Sequence, residues 1–374
     1  MSNLKKYNIF IFITSFSKLL VELFIPLILY KIGFNIKEIL LFLILKYTLC
    51  ILFIPICYTT LKKIKLSTLM IISSILFSIT YIYISIIKKN TISLVILSIL
   101  YSSYLMYYWI SRHIYGLSII KKKKTTNNVS LYNIFTILGG LLSPLIGSYL
   151  IEKLNKTSLI LIVLTLMLIS IIPLTKIKTK QVSNKLSLKS IIISFPKRNY
   201  IFNTLEQLRY IMYSILPLWI FINIKDKYSF IGILNVITGI GSIIYIYVLS
   251  KKMDKSKKDY LSISLLIMSI IYILKINIKT EYLFLIITFF EGIFKSSLDT
   301  IVLRNTYAYQ KNYDVTSYVI FIELINNIGR TLFLILFYIT NIELKTMFYI
   351  CIIGMLLNVF IKYDDGLYGY NKTV

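Results

Sequence analysis

Leu66-Ser-Thr-Leu-Met-Ile-Ile-Ser-Ser-Ile-Leu-Phe-Ser-Ile-Thr-Tyr-Ile-Tyr-Ile-Ser-Ile-Ile87 carries no charge over its whole length. About 20 apolar residues suffice for a helix to cross the hydrocarbon of a bilayer. A core helix of a soluble domain would show a polar face, and this run has none. A barrel strand would alternate instead. Lysines close the run on both sides, at Lys62, Lys63 and Lys65 before it and at Lys88 and Lys89 after it. The stretch therefore predicts a membrane-spanning helix.

Similar runs fill the chain. Before this one lie Asn8 to Tyr30 and Ile39 to Tyr58; after it come Thr91 to Ile120, Leu131 to Ile151 and Ser158 to Leu174. A basic break follows, and then Tyr200 to Ile224, Tyr228 to Leu249, Tyr260 to Ile278, Tyr282 to Leu303, Val315 to Ile339 and Thr346 to Ile361. With 57% hydrophobic residues in 374, the apolar total is enough for about twelve crossings and leaves no soluble domain. The first run continues from Lys5-Lys6 without a small-residue cleavage site, so it reads as a span and not as a removed signal peptide.

Lys and Arg placement sets orientation. With the N-terminus in the cytoplasm, the cytoplasmic loops and ends hold 25 basic residues and the external loops 11, the other six lying within runs. The clusters Lys121-Lys-Lys-Lys124 and Lys251-Lys-Met-Asp-Lys-Ser-Lys-Lys258 are then positive-inside loops, and the net charge of +27 gives no reason to expect nucleic acid. The lysines also reflect a biased composition, with one alanine (Ala308) in the chain. The longest loop, Thr175 to Asn199, falls at the midpoint. The reading is an all-α membrane protein of about 12 transmembrane helices in two six-helix bundles, residues 1–175 and 200–374, joined by a basic linker over 176–199, with both termini cytoplasmic.

The halves echo each other at a shift of about 190 residues. Phe24-Ile-Pro26-Leu-Ile-Leu matches Ile215-Leu-Pro217-Leu-Trp-Ile, and Ile110-Ser-Arg112-His-Ile-Tyr115-Gly116 matches Val302-Leu-Arg304-Asn-Thr-Tyr307-Ala308. Parallel repeats of this kind occur in secondary transporters. Arg112 with Gly116 four residues on resembles the helix-4 motif of the major facilitator superfamily, with Tyr115 in place of the usual Gln. Gly139-Gly140-Leu-Leu-Ser-Pro144-Leu-Ile-Gly147 is similar to the helix-5 pattern of its proton-driven antiporters, with Ser at two Gly positions. The family's acidic, Gly-containing loop after helix 2 is replaced by Thr60-Leu-Lys-Lys-Ile-Lys65. The resemblance implies a central cavity lined by helices 1, 4, 7 and 10.

Charge inside the apolar runs points to the same four helices. A charge at mid-bilayer costs about 2.5–3.5 kcal/mol on insertion scales and tends to face protein or water. Eleven are present: Lys18, Glu22, Lys46, Arg112, Glu206, Arg209, Glu291, Lys295, Asp299, Glu323 and Arg330. Eight lie on runs 1, 4, 7 and 10, where an even spread would put about a third. Lys18 and Glu22 are four apart and Glu206 and Arg209 three apart, so each pair shares a helix face. Glu291, Lys295 and Asp299 form an i, i+4, i+8 ladder with the cation in the middle. These residues, with His113, form the candidate substrate or proton pathway. Ion pairs that only hold the bundle together are the alternative. His113, the one histidine, reads either as a proton relay or as a packing group. Tyr101, Tyr104 and Tyr108 share a face and read either as an aromatic wall for a solute or as packing. Gly140 and Gly147 share a face, as do Gly232 and Gly239, and small faces let helices approach closely.

Several classes are excluded. Cys50, Cys57 and Cys351 lie inside apolar runs with no Cys/His cluster, so no metal is expected, and no cofactor. No Gly-x-x-x-x-Gly-Lys-Ser/Thr loop is present to bind ATP. No nucleophile or acid–base cluster marks an enzyme. What remains is a secondary active transporter of a small organic solute, proton-coupled, multi-pass in the cell membrane and monomeric, with Glu22, Glu206, Glu291 and Asp299 as candidate proton carriers. A lipid or oligosaccharide flippase and a non-transporting membrane protein are the other readings. Six cations against five carboxylates in the interior argue against a simple anion or cation funnel.

Overall fold

The computed structural model describes residues 3–119, 138–177, 179, 181–182, 187–246, 260–361 and 363. The basic clusters at 121–124 and 251–258, the start of the fifth run and the chain end lie outside the described residues. Among the described residues no strand occurs, and eight helical segments are long and apolar enough to cross a membrane.

In chain order the helices are α1 Asn3–Leu19, α2 Ile25–Ile32, α3 Ile36–Lys63, α4 Leu66–Ile86, α5 Thr91–Ile119, α6 Ser143–Lys153, α7 Lys156–Thr175, α8 Leu188–Ser194, α9 Lys197–Asn223, α10 Tyr228–Ile244, α11 Tyr260–Asn277, α12 Glu281–Tyr309, α13 Val315–Thr340 and α14 Leu344–Ile361. The 27 residues of α9 and 29 of α12 give about 40 Å each at 1.5 Å per residue, enough to span, though both carry interior charge. The turns follow local chemistry. Asn35 caps α3 in a box with Glu38, each side chain bonding the other's backbone N–H. Gly33 closes α2 at φ 107°, a conformation that needs glycine.

The first run is not one continuous helix. The regular α-helical pattern stops after Leu19, the backbone bonds tighten to i−3 partners at Val21 and Phe24, a 3-10 turn covers Glu22–Phe24, and α2 starts with Pro26 in its first turn. A proline there gives up no intrahelical bond. Pro217, at the matching place in the other half, sits inside an uninterrupted α9.

Packing arranges the helices around a polar interior. The helix pairs α3–α5, α4–α5, α4–α7 and α1–α7 contact one another, as do α9–α14, α11–α12, α11–α14, α10–α12 and α9–α13. Pairs α6–α10 and α3–α13 join helices far apart in sequence. Trp219 of α9 packs edge-on against Phe348 of α14. Large apolar side chains such as Leu52, Ile79, Leu168, Ile270, Leu332 and Phe360 are exposed, while Lys18, Arg112, Glu206, Arg209 and Lys275 are buried. This inverts the pattern of a water-soluble protein and fits a lipid surround. The three cysteines are free and buried.

The glycines act as expected but not all toward the same neighbours. A side-chain carbon at Gly139 would meet Phe12 and Ser15, at Gly140 Leu19, and at Gly147 the backbone of Leu20, so this face lies on α1. Gly232 and Gly239 face the fifth segment, against Ser148, Leu145 and Pro144 and against Leu141. Asn235 Nδ2 donates to Gly140 O at 2.9 Å across the same contact. The described residues of the linker touch helices of both halves: Lys6 Nζ donates to Lys176 O at 2.7 Å, Gln181 Nε2 to Lys63 O at 2.7 Å, and α8 packs Ile191 against Tyr318 and Phe321.

Candidate functional site

The break in the first run puts Glu22 in its 3-10 turn, facing the middle of α5. Tyr101 donates to Glu22 Oε1 at 2.6 Å and Tyr104 donates to the same oxygen at 3.3 Å. Lys18 Nζ stands 3.4 Å from Glu22 Oε2. The ammonium also lies 4.7 Å from the ring centre of Tyr108 and 5.1 Å from that of Trp109. Arg112, one turn after Tyr108, donates to its hydroxyl at 2.7 Å and stacks over Trp109 at 4.9 Å. The shared tyrosine face of the fourth run is thus a set of hydroxyls and rings that hold charge in a dry surround.

His113 and Arg112 both lie against Trp109, but His113 bonds to other helices. Its Nδ1 is 2.7 Å from the Tyr307 hydroxyl on α12, and its Nε2 is 3.8 Å from Glu323 Oε1 on α13. Its ring stacks on Trp109. The helix-4 residue Gly116 is buried.

A second cluster builds on α9 and α12. Arg209 Nε donates to Glu206 Oε1 at 2.7 Å, and Arg209 Nη1 donates to Asp299 Oδ1 at 2.7 Å and to Tyr213 at 2.9 Å. Arg209 is fully buried, whereas the Asp299 side chain is 38% exposed. Glu206 Oε2 is buried without a hydrogen-bond partner among the described residues.

The expected ladder on α12 does not form. Glu291 pairs with Lys275 of α11 and accepts from Tyr272 at 3.0 Å, while Asp299 turns to Arg209. Lys295 makes no salt bridge among the described residues; its ammonium sits 4.6 Å from the Tyr213 ring centre. Four residues overshoot a helical turn by about 40°, so eight turn the ends of the ladder about 80° apart. Lys275 is a correction to the sequence reading, which placed it in an external loop. It is 2% exposed, three residues before the end of its apolar run.

Glu323 and Arg330 do not pair either, since seven residues separate them by about 10 Å along the axis. Arg330 Nε donates to Gln207 Oε1 at 2.8 Å, and Gln207 Nε2 donates to Asn326 Oδ1 at 2.9 Å. The Arg330 guanidinium stacks at 5.1 Å on both Tyr47 of α3 and Tyr210 of α9. Lys46 lies over Tyr47 at 4.3 Å and over Tyr101 at 5.0 Å. A chain of side-chain contacts thus runs from Glu22 through Tyr101, Lys46, Tyr47 and Arg330 to Tyr210. Tyr210 lies in turn against Arg209, which holds Asp299. Tyr47, Gln207 and Tyr210 were not anticipated. Gln207 was legible as an amide inside a run; the tyrosines were hidden among 31 of their kind.

No group of three or more His, Cys, Asp or Glu among the described residues could hold a metal. Nothing in the arrangement resembles an acid–base–nucleophile set. What it offers is paired charge and hydroxyls in the middle of a membrane bundle, two of its carboxylates partly open.

No known family matches the sequence of the chain, and no curated protein matches it. Solved structures do match its fold. A point mutant of the nucleoside transporter NupG aligns with a TM-score of 0.71 at 12% identity, over 96% of this chain and 98% of its own. The human organic anion transporter MFSD10 (TETRAN) aligns with a TM-score of 0.65 at 11% identity, over 96% of this chain and 100% of its own. Both neighbours are transporters and neither is an enzyme. Over nearly its whole length, this chain shares the fold of these two membrane transporters.

Proposed function

We propose that this chain is a proton-coupled secondary transporter of a small organic solute. It works by alternating access as a monomer in the cell membrane. Twelve helices form two six-helix bundles, residues 1–175 and 200–374, joined by the basic linker 176–199, with both termini cytoplasmic. The packing pairs support the division, since most contacts stay within one half and α6–α10 and α3–α13 bridge the two.

The observation that carries the reading is the pairing of buried cations with carboxylates that stay reachable. Glu22 and Asp299 are 27% and 38% exposed in the bundle interior, beside Lys18 at 3.4 Å and Arg209 at 2.7 Å. Protonating Glu22 frees Lys18 of its carboxylate and protonating Asp299 leaves Arg209 to Glu206, and in a low-dielectric site that coupling is strong. Glu206 and Glu291, at 2% and 7% exposure, are less reachable, and we take Glu22 and Asp299 as the first proton acceptors. Arg112 and Lys18 share Tyr108 and Trp109, so a change at Glu22 reaches Arg112 through two rings.

The test is a screen of radiolabelled solutes in proteoliposomes with and without a pH gradient. Wild type should accumulate a solute under the gradient; Glu22→Gln and Asp299→Asn should retain exchange but lose accumulation, and Arg112→Ala should lose both. Normal accumulation by all three variants would sink the site assignment.

A further inference from the structure

The interior charges do not balance once their partners are known. Glu22 is held by Lys18, Glu206 and Asp299 by Arg209, and Glu291 by Lys275, while Glu323 faces His113. Lys46, Lys295 and Arg330 have no carboxylate within 4 Å among the described residues. Each rests on tyrosine rings: Lys46 on Tyr47 and Tyr101, Arg330 on Tyr47 and Tyr210, Lys295 on Tyr213. A ring face offers a cation about 0.5–2 kcal/mol. The effective cost of taking an ion out of water is several kcal/mol. Each also feels one carboxylate beyond contact range, Lys46 that of Glu22, Lys295 that of Glu291 and Arg330 that of Glu323, but none has an anion in direct contact, and a negative group bound there would supply one.

Lys46 and Arg330 are the closest to a shared site. Both lie within 5.1 Å of the centre of one ring, Tyr47, although they stand on α3 and α13. Arg330 keeps Nε on Gln207, which leaves donors of its fork uncommitted in the described contacts. Gln207 is itself fixed by Asn326 and by the carbonyl of Asn203 at 2.8 Å, so the guanidinium is held in place. A fork and an ammonium converging on one ring suit a carboxylate or phosphate.

We propose that the cargo is an organic anion whose carboxylate or phosphate is bound between Lys46 and Arg330 beside Tyr47, with Lys295 as a further cation on the same interior. This rests on the transport reading in taking the bound anion to be the cargo. It also replaces the near-balance drawn from sequence, which missed Lys275 and so hid how many carboxylates were already taken.

Binding tests the site without requiring flux. Purified protein in a neutral detergent is titrated with benzoate, phenyl phosphate, benzamide and benzylamine, and the shift in melting temperature is followed. The two anions should stabilise the protein and the neutral and cationic isosteres should not. Lys46→Gln and Arg330→Gln should each weaken the anions at least about tenfold. Lys46→Arg should restore binding, and Lys37→Gln on the exposed start of α3 should leave it unchanged. Each variant's ligand-free melting temperature shows that it is folded. Equal binding of benzamide, anion binding indifferent to both Gln variants, or no anion binding at all would overturn the proposal. A shift with dioctanoyl phosphatidate alone would overturn it too, since the anion would then be a lipid headgroup. Counterflow in liposomes separates the two readings. Anions that bind but never exchange would defeat transport and leave the anion site standing. Exchange of a neutral solute untouched by Lys46→Gln would defeat the anion and leave transport standing.

Discussion

Lys275 and Glu291 show what a buried charge costs when its partner is removed. Both are nearly inaccessible, and Tyr272 completes the carboxylate's coordination. Removing one member of such a pair typically costs about 3–5 kcal/mol, because the survivor stays buried and unpaired. Lys275→Ala should therefore lower the melting temperature sharply, whereas the double change Lys275→Met with Glu291→Leu should recover most of it; a thermal melt of the three proteins checks this. Equal losses for the single and double variants would mean that packing, not charge, is at stake. The residues of the site were partly legible in the sequence. A charge in an apolar run is conspicuous, so Glu22, Arg112, Arg209 and Asp299 stood out. Partners were less so. The spacing of Lys18 and Glu22 or of Glu206 and Arg209 spans one turn and settled their pairing. Over two turns helical drift defeats the eye, as at Glu291 and Asp299. Lys275 escaped because a lysine near a run's end reads as a loop residue until the neighbouring helix is known.

Among the elements, the fifth segment shows how little room the bundle leaves. Gly147 faces the backbone of Leu20, which cannot rotate aside, whereas Gly239 faces the end of the Leu141 side chain. Gly147→Ala should force α1 and α6 apart and cost about 1–3 kcal/mol as overpacking does, while Gly239→Ala should cost less. Melting temperatures of the two variants, compared in the same detergent, decide it; a larger loss at Gly239 would contradict the geometry. The long helices were legible in place but not at their ends, since hydropathy is a property of whole runs: Ile36–Lys63 and Glu281–Tyr309 outrun their apolar stretches by several residues, and the short helix Leu188–Ser194 lies in what read as a loop. The break in the first run was not legible. Pro26 and Pro217 are matched in sequence, yet only the former follows a 3-10 turn, and it is the turn that brings Glu22 to Tyr101.

The whole molecule is fastened near both ends of its interior. On one side Lys31 pairs with Asp226 at 2.9 Å, and Phe24 and Phe221 both meet Tyr228. Toward the other, His113 reaches Tyr307 and Glu323. The Lys31–Asp226 pair is about half exposed, and such surface pairs contribute about 0–1 kcal/mol, so thermal motion can open it. Replacing both residues by cysteine and bridging them with a short bis-maleimide should stop the proposed transport, and cleavage of a reducible version should restore it. Unimpaired flux through the bridged protein would show that this end need not part. Two tryptophans serve the entire chain. Trp109 lies against Lys18, Arg112 and His113 at the charged centre, and Trp219 lies against Phe348 far along α9. The chain therefore contains its own optical gauge. With Trp219→Phe, the remaining indole emission should come from the centre alone, quenched by the imidazole stacked on it, and His113→Leu should brighten it. A solute that rearranges Lys18 or Arg112 should then shift that emission without any dye attached.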